Sequence, residues 1–141
     1  GGGLIAGCAT ALTALIPGIE ILAAEPAGFD DTRRSLAAGE RVGNPPGATT
    51  ICDALMAPMP GEVTFEVNRR LLAGGIAVDD AEVEAAMRFA FQHLKLVVEP
   101  GGAVALAAVL AGRLAAKDRT VAVMLSGGNV DPEHFAAILT G

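Results

Sequence analysis

Apolar and polar positions alternate along this chain in two rhythms, one helical and one extended. From Leu4 to Leu15 the apolar residues follow a helical pattern, which Pro17-Gly18 stops. Ile19 to Ala24 is short and nearly all apolar, which suits a parallel strand buried on both faces. Asp30 or Asp31 can cap a helix over Thr32 to Ala38 that ends at Gly39. Gly43 to Thr50 reads as a loop, Ile51 to Leu55 is ambiguous, and Pro58 to Pro60 breaks the chain again. Thr64 to Leu72 predicts a helix ending at Gly74-Gly75, and Ile76 to Val78 a strand.

Asp79 and Glu82 have the spacing of a capping box. In the helix behind them, Val83, Ala86, Met87, Ala90 and Leu94 form the predicted buried face. Leu96 to Val98 is extended as far as Glu99-Pro100. Ala103 to Ala115 is apolar nearly all round and predicts a central helix. Thr120 to Leu125 predicts a buried strand, Ser126 to Asn129 a tight turn, and Asp131-Pro132 the start of the last helix. The alternation predicts an α/β fold, an open and mostly parallel sheet with helices on both faces. Ligands of such sheets sit at the carboxyl ends of strands. Glu25-Pro26, Glu99-Pro100 and Ser126 to Asn129 occupy or adjoin such ends. The opening glycine run is a fourth case if a strand precedes it.

Composition narrows the function. The chain has 141 residues, one domain or part of one, and 52% are hydrophobic, enough for a core. A net charge of −6, no Trp or Tyr, and only the isolated pairs Arg33-Arg34 and Arg69-Arg70 argue against nucleic acid as a partner. No apolar run is long enough to span a membrane. Cys8 and Cys52 lack metal-type spacing, so a reducing cytoplasm is expected. The opening Gly1-Gly2-Gly3, without an initiator Met, is read as a cut inside a longer protein.

Four segments carry candidate chemistry. Gly1-Gly2-Gly3, running into a helix, can turn backbone N–H groups toward one anion, and a phosphate fits. A plain glycine turn or a tag remnant fits as well. A dinucleotide fingerprint needs wider glycine spacing and an acid about 20 residues on, where Glu25 stands. Ser126-Gly127-Gly128-Asn129 places a hydroxyl where it can meet a ligand, though taken alone it is an ordinary strand-to-helix turn. Glu99 is held extended by Pro100, and a lone Glu there is more often a helix-start charge. In Glu25-Pro26-Ala27-Gly28-Phe29-Asp30-Asp31, two carboxylates and a backbone carbonyl can bind a hard divalent ion, but locally an Asp N-cap and a strand-end Glu read better. His93 and His134 have no partner at ligand spacing and are assigned to surface or capping roles.

Together these residues resemble the fold-type II pyridoxal-phosphate (PLP) enzymes of the serine/threonine dehydratase and serine racemase branch. The resemblance runs through the whole chain in order. It passes from the glycine loop through Ala24-Glu25-Pro26, Thr49-Thr50-Ile51-Cys52-Asp53 and Leu94 to Pro100, and ends at Ser126 to Asp131. It implies that Gly1, Gly2, Gly3 and Leu4 grip the cofactor phosphate. It also implies that Ser126, beside Gly127, meets the pyridine nitrogen and that Glu99 lies near the ring. Glu25, the Phe29 carbonyl and Asp31 would hold Mg²⁺ or Ca²⁺, although Phe29 is bulkier than the residue usual there.

The family's Schiff-base lysine lies in an N-terminal segment, and neither Lys95 nor Lys117 has its context. Residues 1–141 are therefore expected to be the C-terminal part of the PLP-binding large domain, inactive alone. The missing N-terminal part is its first partner, and a homodimer is expected. The implied reaction is β-elimination from a 3-hydroxy amino acid, giving a 2-oxo acid and ammonia. Serine racemisation and hydroxyaspartate dehydration are alternatives, and a non-catalytic binding domain is a third.

Overall fold

The computed structural model describes residues 1–141. Its elements, in chain order, are α1 (Gly3–Leu15), β1 (Leu22–Pro26), α2 (Asp31–Ala38), α3 (Glu62–Leu71), β2 (Gly74–Val78), α4 (Asp80–Phe89), α5 (Pro100–Leu110) and α6 (Pro132–Thr140). Strands β1 and β2 pair in parallel, with Leu22 opposite Gly74 and Pro26 opposite Val78. Helices α2 and α3 make the crossover between them, and α2 and α5 both pack on the pair. The architecture is the expected α/β one, a small parallel sheet clothed in helices.

The core lies between β2, α4 and α5. Val78, Val83, Met87, Ala90, Ala103 and Ala107 are all buried there. Small residues on α5 let α4 and the strands approach closely, and the helix is buried from Pro100 to Ala108 except at Ala105. Pro100 sits in the first turn, where its missing N–H has no helical partner to lose. Asp79 and Glu82 form the expected capping box, the Glu82 carboxylate accepting from the Asp79 N–H at 2.9 Å. Asp131 caps α6 by accepting from the N–H groups of Glu133 and His134.

Four local expectations are corrected. The first strand begins at Leu22 and runs to Pro26, because β2 offers partners only over that register. Helix α2 is not capped by its own aspartates. The Glu25 carboxylate reaches across from β1 and accepts from the N–H groups of Thr32 (3.0 Å) and Arg33 (2.8 Å). Beyond Phe89 the helix widens into a π-turn over Ala90–Leu94, which adds a residue to the turn. That rotates Leu94 out of the predicted face and leaves it 46% exposed. Finally, Thr120 to Leu125 is not a strand of the sheet. Val123 and Leu125 lean on the core, but no backbone group of the segment bonds to a neighbouring strand. Its side-chain pattern is that of a strand, and a strand exists only beside another.

Candidate cofactor site

Two glycine-containing turns and one carboxylate make the first half of the site. The Glu99 N–H donates to the Gly127 carbonyl at 3.0 Å. The Glu99 carboxylate returns to accept from the Asn129 N–H at 2.8 Å. Glu99 thus holds the Ser126–Asn129 turn from two sides. Gly127 is required by this contact, since a Cβ there would stand 2.6 Å from the Glu99 carboxyl carbon. Gly102 permits the same close approach from α5, where a Cβ would meet the Gly127 carbonyl at 2.9 Å. Ser126 is exposed at the rim, and its hydroxyl makes no hydrogen bond within the chain.

A cleft of about 150 Å³ opens beside this turn, lined by Ile51, Asp53, Pro100, Asn129, Val130, Asp131 and His134. Asp53 and His134 line this cleft and are not among the residues expected from the sequence. Asp53 arrives through tertiary structure. The Asp80 carboxylate on α4 accepts from the Thr50 hydroxyl (2.6 Å) and the Ile51 N–H (3.1 Å), which draws the 50–53 segment inward. His134, expected in a surface or capping role, donates its backbone N–H to the Asp131 carboxylate at 3.1 Å. The order Asp131-Pro132-Glu133-His134 was the signal available, because Pro132 starts a helix and so brings the His134 side chain beside the turn.

The opening glycines form the second half. Gly2 is the N-cap of α1 and lies in the left-handed region at φ 83°. The first bond that closes into the helix runs from the Ala6 N–H to the Gly2 carbonyl at 3.1 Å. The N–H groups of Gly3, Leu4 and Ile5 are therefore unused by the helix, and its positive end is free for an anion. Gly1, Gly3 and Leu4 are exposed.

Glu25 lies in β1, and Asp30 and Asp31 follow its end across a short turn. Burial pushes the Glu25 carboxyl above its usual range, against the hydrogen bonds from Thr32 and Arg33. The nearby Asp31 charge raises it further. Asp31 is buried and accepts from the Asn44 side chain at 2.7 Å. Asp30 is engaged with Arg33 and Arg34 instead. Phe29 is buried in the short turn between Glu25 and Asp31. Two neighbouring, partly buried carboxylates that repel each other are a donor set suited to a hard cation. No cluster of three or more His, Cys, Asp or Glu side chains is present.

The chain matches the pyridoxal-phosphate dependent enzyme family over residues 1–127. It belongs to that family. Serine racemase of Dictyostelium discoideum is 38% identical over 142 residues, covering 99% of this chain and 44% of the relative. The structure of maize serine racemase superposes with a TM-score of 0.87 at 41% identity, covering 99% of this chain and 44% of that one. The crystal structure of T.th. threonine deaminase superposes with a TM-score of 0.86 at 42% identity, covering 93% of this chain and 44% of that one. The chain thus spans less than half the length of these PLP-family relatives. Family membership supplies the cofactor, pyridoxal phosphate. No helix is long and apolar enough to cross a membrane.

Proposed function

We propose that residues 1–141 are the C-terminal part of the PLP-binding large domain of a cytoplasmic, homodimeric enzyme. Its reaction is the elimination of the β-hydroxyl from a 3-hydroxy amino acid such as serine or threonine, with release of a 2-oxo acid and ammonia. The observation that carries this reading is the pair of Glu99 hydrogen bonds that fix the Ser126–Asn129 turn and leave the Ser126 hydroxyl free. A rigid turn that offers one neutral hydroxyl suits the nitrogen of an aromatic ring.

PLP, when bound, supplies the electron sink that makes the α-proton of an amino acid acidic. This chain's contribution is grip and orientation. The N–H groups of Gly3 and Leu4, at the positive end of α1, hold the phosphate, with Gly1 and Gly2 shaping the turn. Ser126 meets the ring nitrogen without adding charge, Gly127 gives room, and Glu99 fixes the turn from beside the ring. Glu25, the Phe29 carbonyl and Asp31 hold Mg²⁺ or Ca²⁺, which offsets the repulsion between the two carboxylates. The lysine that carries PLP belongs to the N-terminal part of the protein, since Lys95 and Lys117 stand outside both turns. Lys95 is turned back onto the Gln92 carbonyl at 2.7 Å.

Racemisation of serine shares the removal of the α-proton, and relatives similar to this chain include serine racemase as well as L-threo-3-hydroxyaspartate ammonia-lyase. The test is direct. The full-length protein should bind PLP and release 2-oxo acid from serine or threonine, and residues 1–141 alone should do neither. Turnover by the isolated chain would overturn the division of labour proposed here. Product analysis on a chiral column separates elimination from racemisation.

A further inference from the structure

Gly61, Thr64 and Asn68 are spaced three and four residues apart, so they form one stripe on α3 and the residue before it. That stripe lies directly beneath the opening glycines. The Gly1 carbonyl accepts two hydrogen bonds from it, one from the Thr64 hydroxyl and one from the Gly61 N–H at 3.1 Å. No peptide bond in the chain is cis. In a planar trans peptide the C=O and the following N–H point in opposite directions. Drawing the Gly1 carbonyl down onto α3 therefore turns the Gly2 N–H away from α3, toward the open side of the turn.

Asn68 sits behind Gly2. A Cβ on Gly2 would lie 2.9 Å from its Nδ2 and 3.4 Å from the Thr64 Oγ1. Asn68 is fully buried, and neither Nδ2 nor Oδ1 has a hydrogen-bond partner. Buried carboxamides are normally satisfied, and one left unpartnered against the start of a helix calls for a role. Its N–H dipole is not neutralised by any acceptor in the chain. Its nitrogen lies against Gly2, the N-cap of α1, and adds to the positive end of that helix.

We propose that Thr64 and Asn68 are positioning residues for the phosphate cradle. Thr64 aims the Gly2 N–H at the anion, and Asn68 supports the turn from behind with a polar group that does not touch the ligand. This rests on the reading of Gly1 to Leu4 as the phosphate grip of PLP. It makes α3, a helix remote from the Ser126 turn in sequence, part of cofactor selection.

The experiment uses the full-length protein and two probes, PLP and pyridoxal, which differ only in the phosphate. Dissociation constants are measured by calorimetry for the wild type, Thr64→Val, Thr64→Ala, Thr64→Ser and Asn68→Leu. The wild type should prefer PLP. The two variants lacking the hydroxyl should bind PLP about tenfold more weakly, the share of one hydrogen bond to a charged ligand, with pyridoxal unchanged. Thr64→Ser should keep the wild-type preference. Asn68→Leu should lose part of that preference without a fall in thermal midpoint, since an apolar side chain suits the site better than an unpartnered carboxamide. Equal loss of PLP and pyridoxal, or no loss of either, overturns the inference. If the wild type itself does not prefer PLP, the phosphate reading of the glycines fails first, and the inference with it.

Discussion

The Glu99 carboxylate accepts a hydrogen bond from the Asn129 N–H at 2.8 Å, joining two turns that lie 30 residues apart. The contact depends on Gly127, which lets the carboxylate pass where a side chain would otherwise stand. Gly127→Ala would put a Cβ 2.6 Å from both Cδ and Oε1 of Glu99. The carboxylate would have to swing away and give up the Asn129 N–H. The expected cost is about 1–3 kcal/mol of stability, from strain and the lost bond. Glu99→Gln keeps an acceptor oxygen and should cost much less. Denaturant midpoints of the two full-length variants check the ordering, and a Gly127→Ala protein as stable as wild type would contradict it.

Cys52 is fully buried, and burial pushes its thiol up to about 11 from the ordinary 9.0. The Thr50 hydroxyl opposes this, and the charges of Asp80 and Asp53 add to it. The unfolded chain releases this proton at the ordinary value while the native state retains it. Native protein therefore binds more protons, and stability falls as pH rises between those two values. The loss is roughly 2–3 kcal/mol across the interval. Urea unfolding from pH 8 to pH 11 should show this fall in the wild type and a shallower one in Cys52→Ala. Parallel curves would show that the thiol titrates alike in both states.

Much of this architecture was legible in the sequence, and the exceptions share a cause. Caps and breakers act over a few residues, so Asp79, Asp131 and Gly39 mark helix ends without reference to the rest of the fold. Glu25 as the cap of α2 was not legible, because it arrives from a strand seven residues earlier. The π-turn that exposes Leu94 was not legible either, since the apolar spacing continues through it as if the helix did. Thr120 to Leu125 shows the limit most plainly. Periodicity reports where side chains point, and it is silent on whether a neighbour exists to take the backbone hydrogen bonds. In the candidate site, motif residues stand out because each bears unusual chemistry locally. Asp53 was passed over because only the Asp80 contacts with Thr50 and Ile51 bring it in.

The paired carboxylates Glu25 and Asp31 should respond to divalent ions. In the full-length protein, EDTA should lower the thermal midpoint, and Mg²⁺ or Ca²⁺ should restore it by binding the native state alone. Asp31→Ala should abolish that sensitivity. Asn44→Ala removes the same hydrogen bond to Asp31 but leaves the carboxylate in place, so its response to EDTA should persist. Differential scanning fluorimetry with and without chelator reads all three proteins. A wild type indifferent to EDTA would leave Glu25 as a helix cap and nothing more.

In the proposed site, Ser126 decides which reaction the cofactor favours. Its hydroxyl is neutral, with a very high pKa, and no partner in the chain competes for it. Such a group can hydrogen-bond a ring nitrogen but cannot balance a positive charge there as a carboxylate would. A weaker electron sink disfavours long-lived negative charge at the substrate α-carbon. Loss of a β-hydroxyl suits that situation, because the leaving group carries the charge away as it develops. Ser126→Ala removes the ring's partner and should lower 2-oxo acid release by up to about tenfold, the worth of one neutral hydrogen bond. Ser126→Asp supplies the missing charge. It should raise the rate at which the substrate α-proton exchanges with solvent deuterium, relative to the rate of elimination. Proton NMR of serine in D₂O gives the first rate and 2-oxo acid release the second, on the same samples. An unchanged exchange-to-elimination ratio in Ser126→Asp, with full turnover in Ser126→Ala, would mean that Ser126 does not face the cofactor.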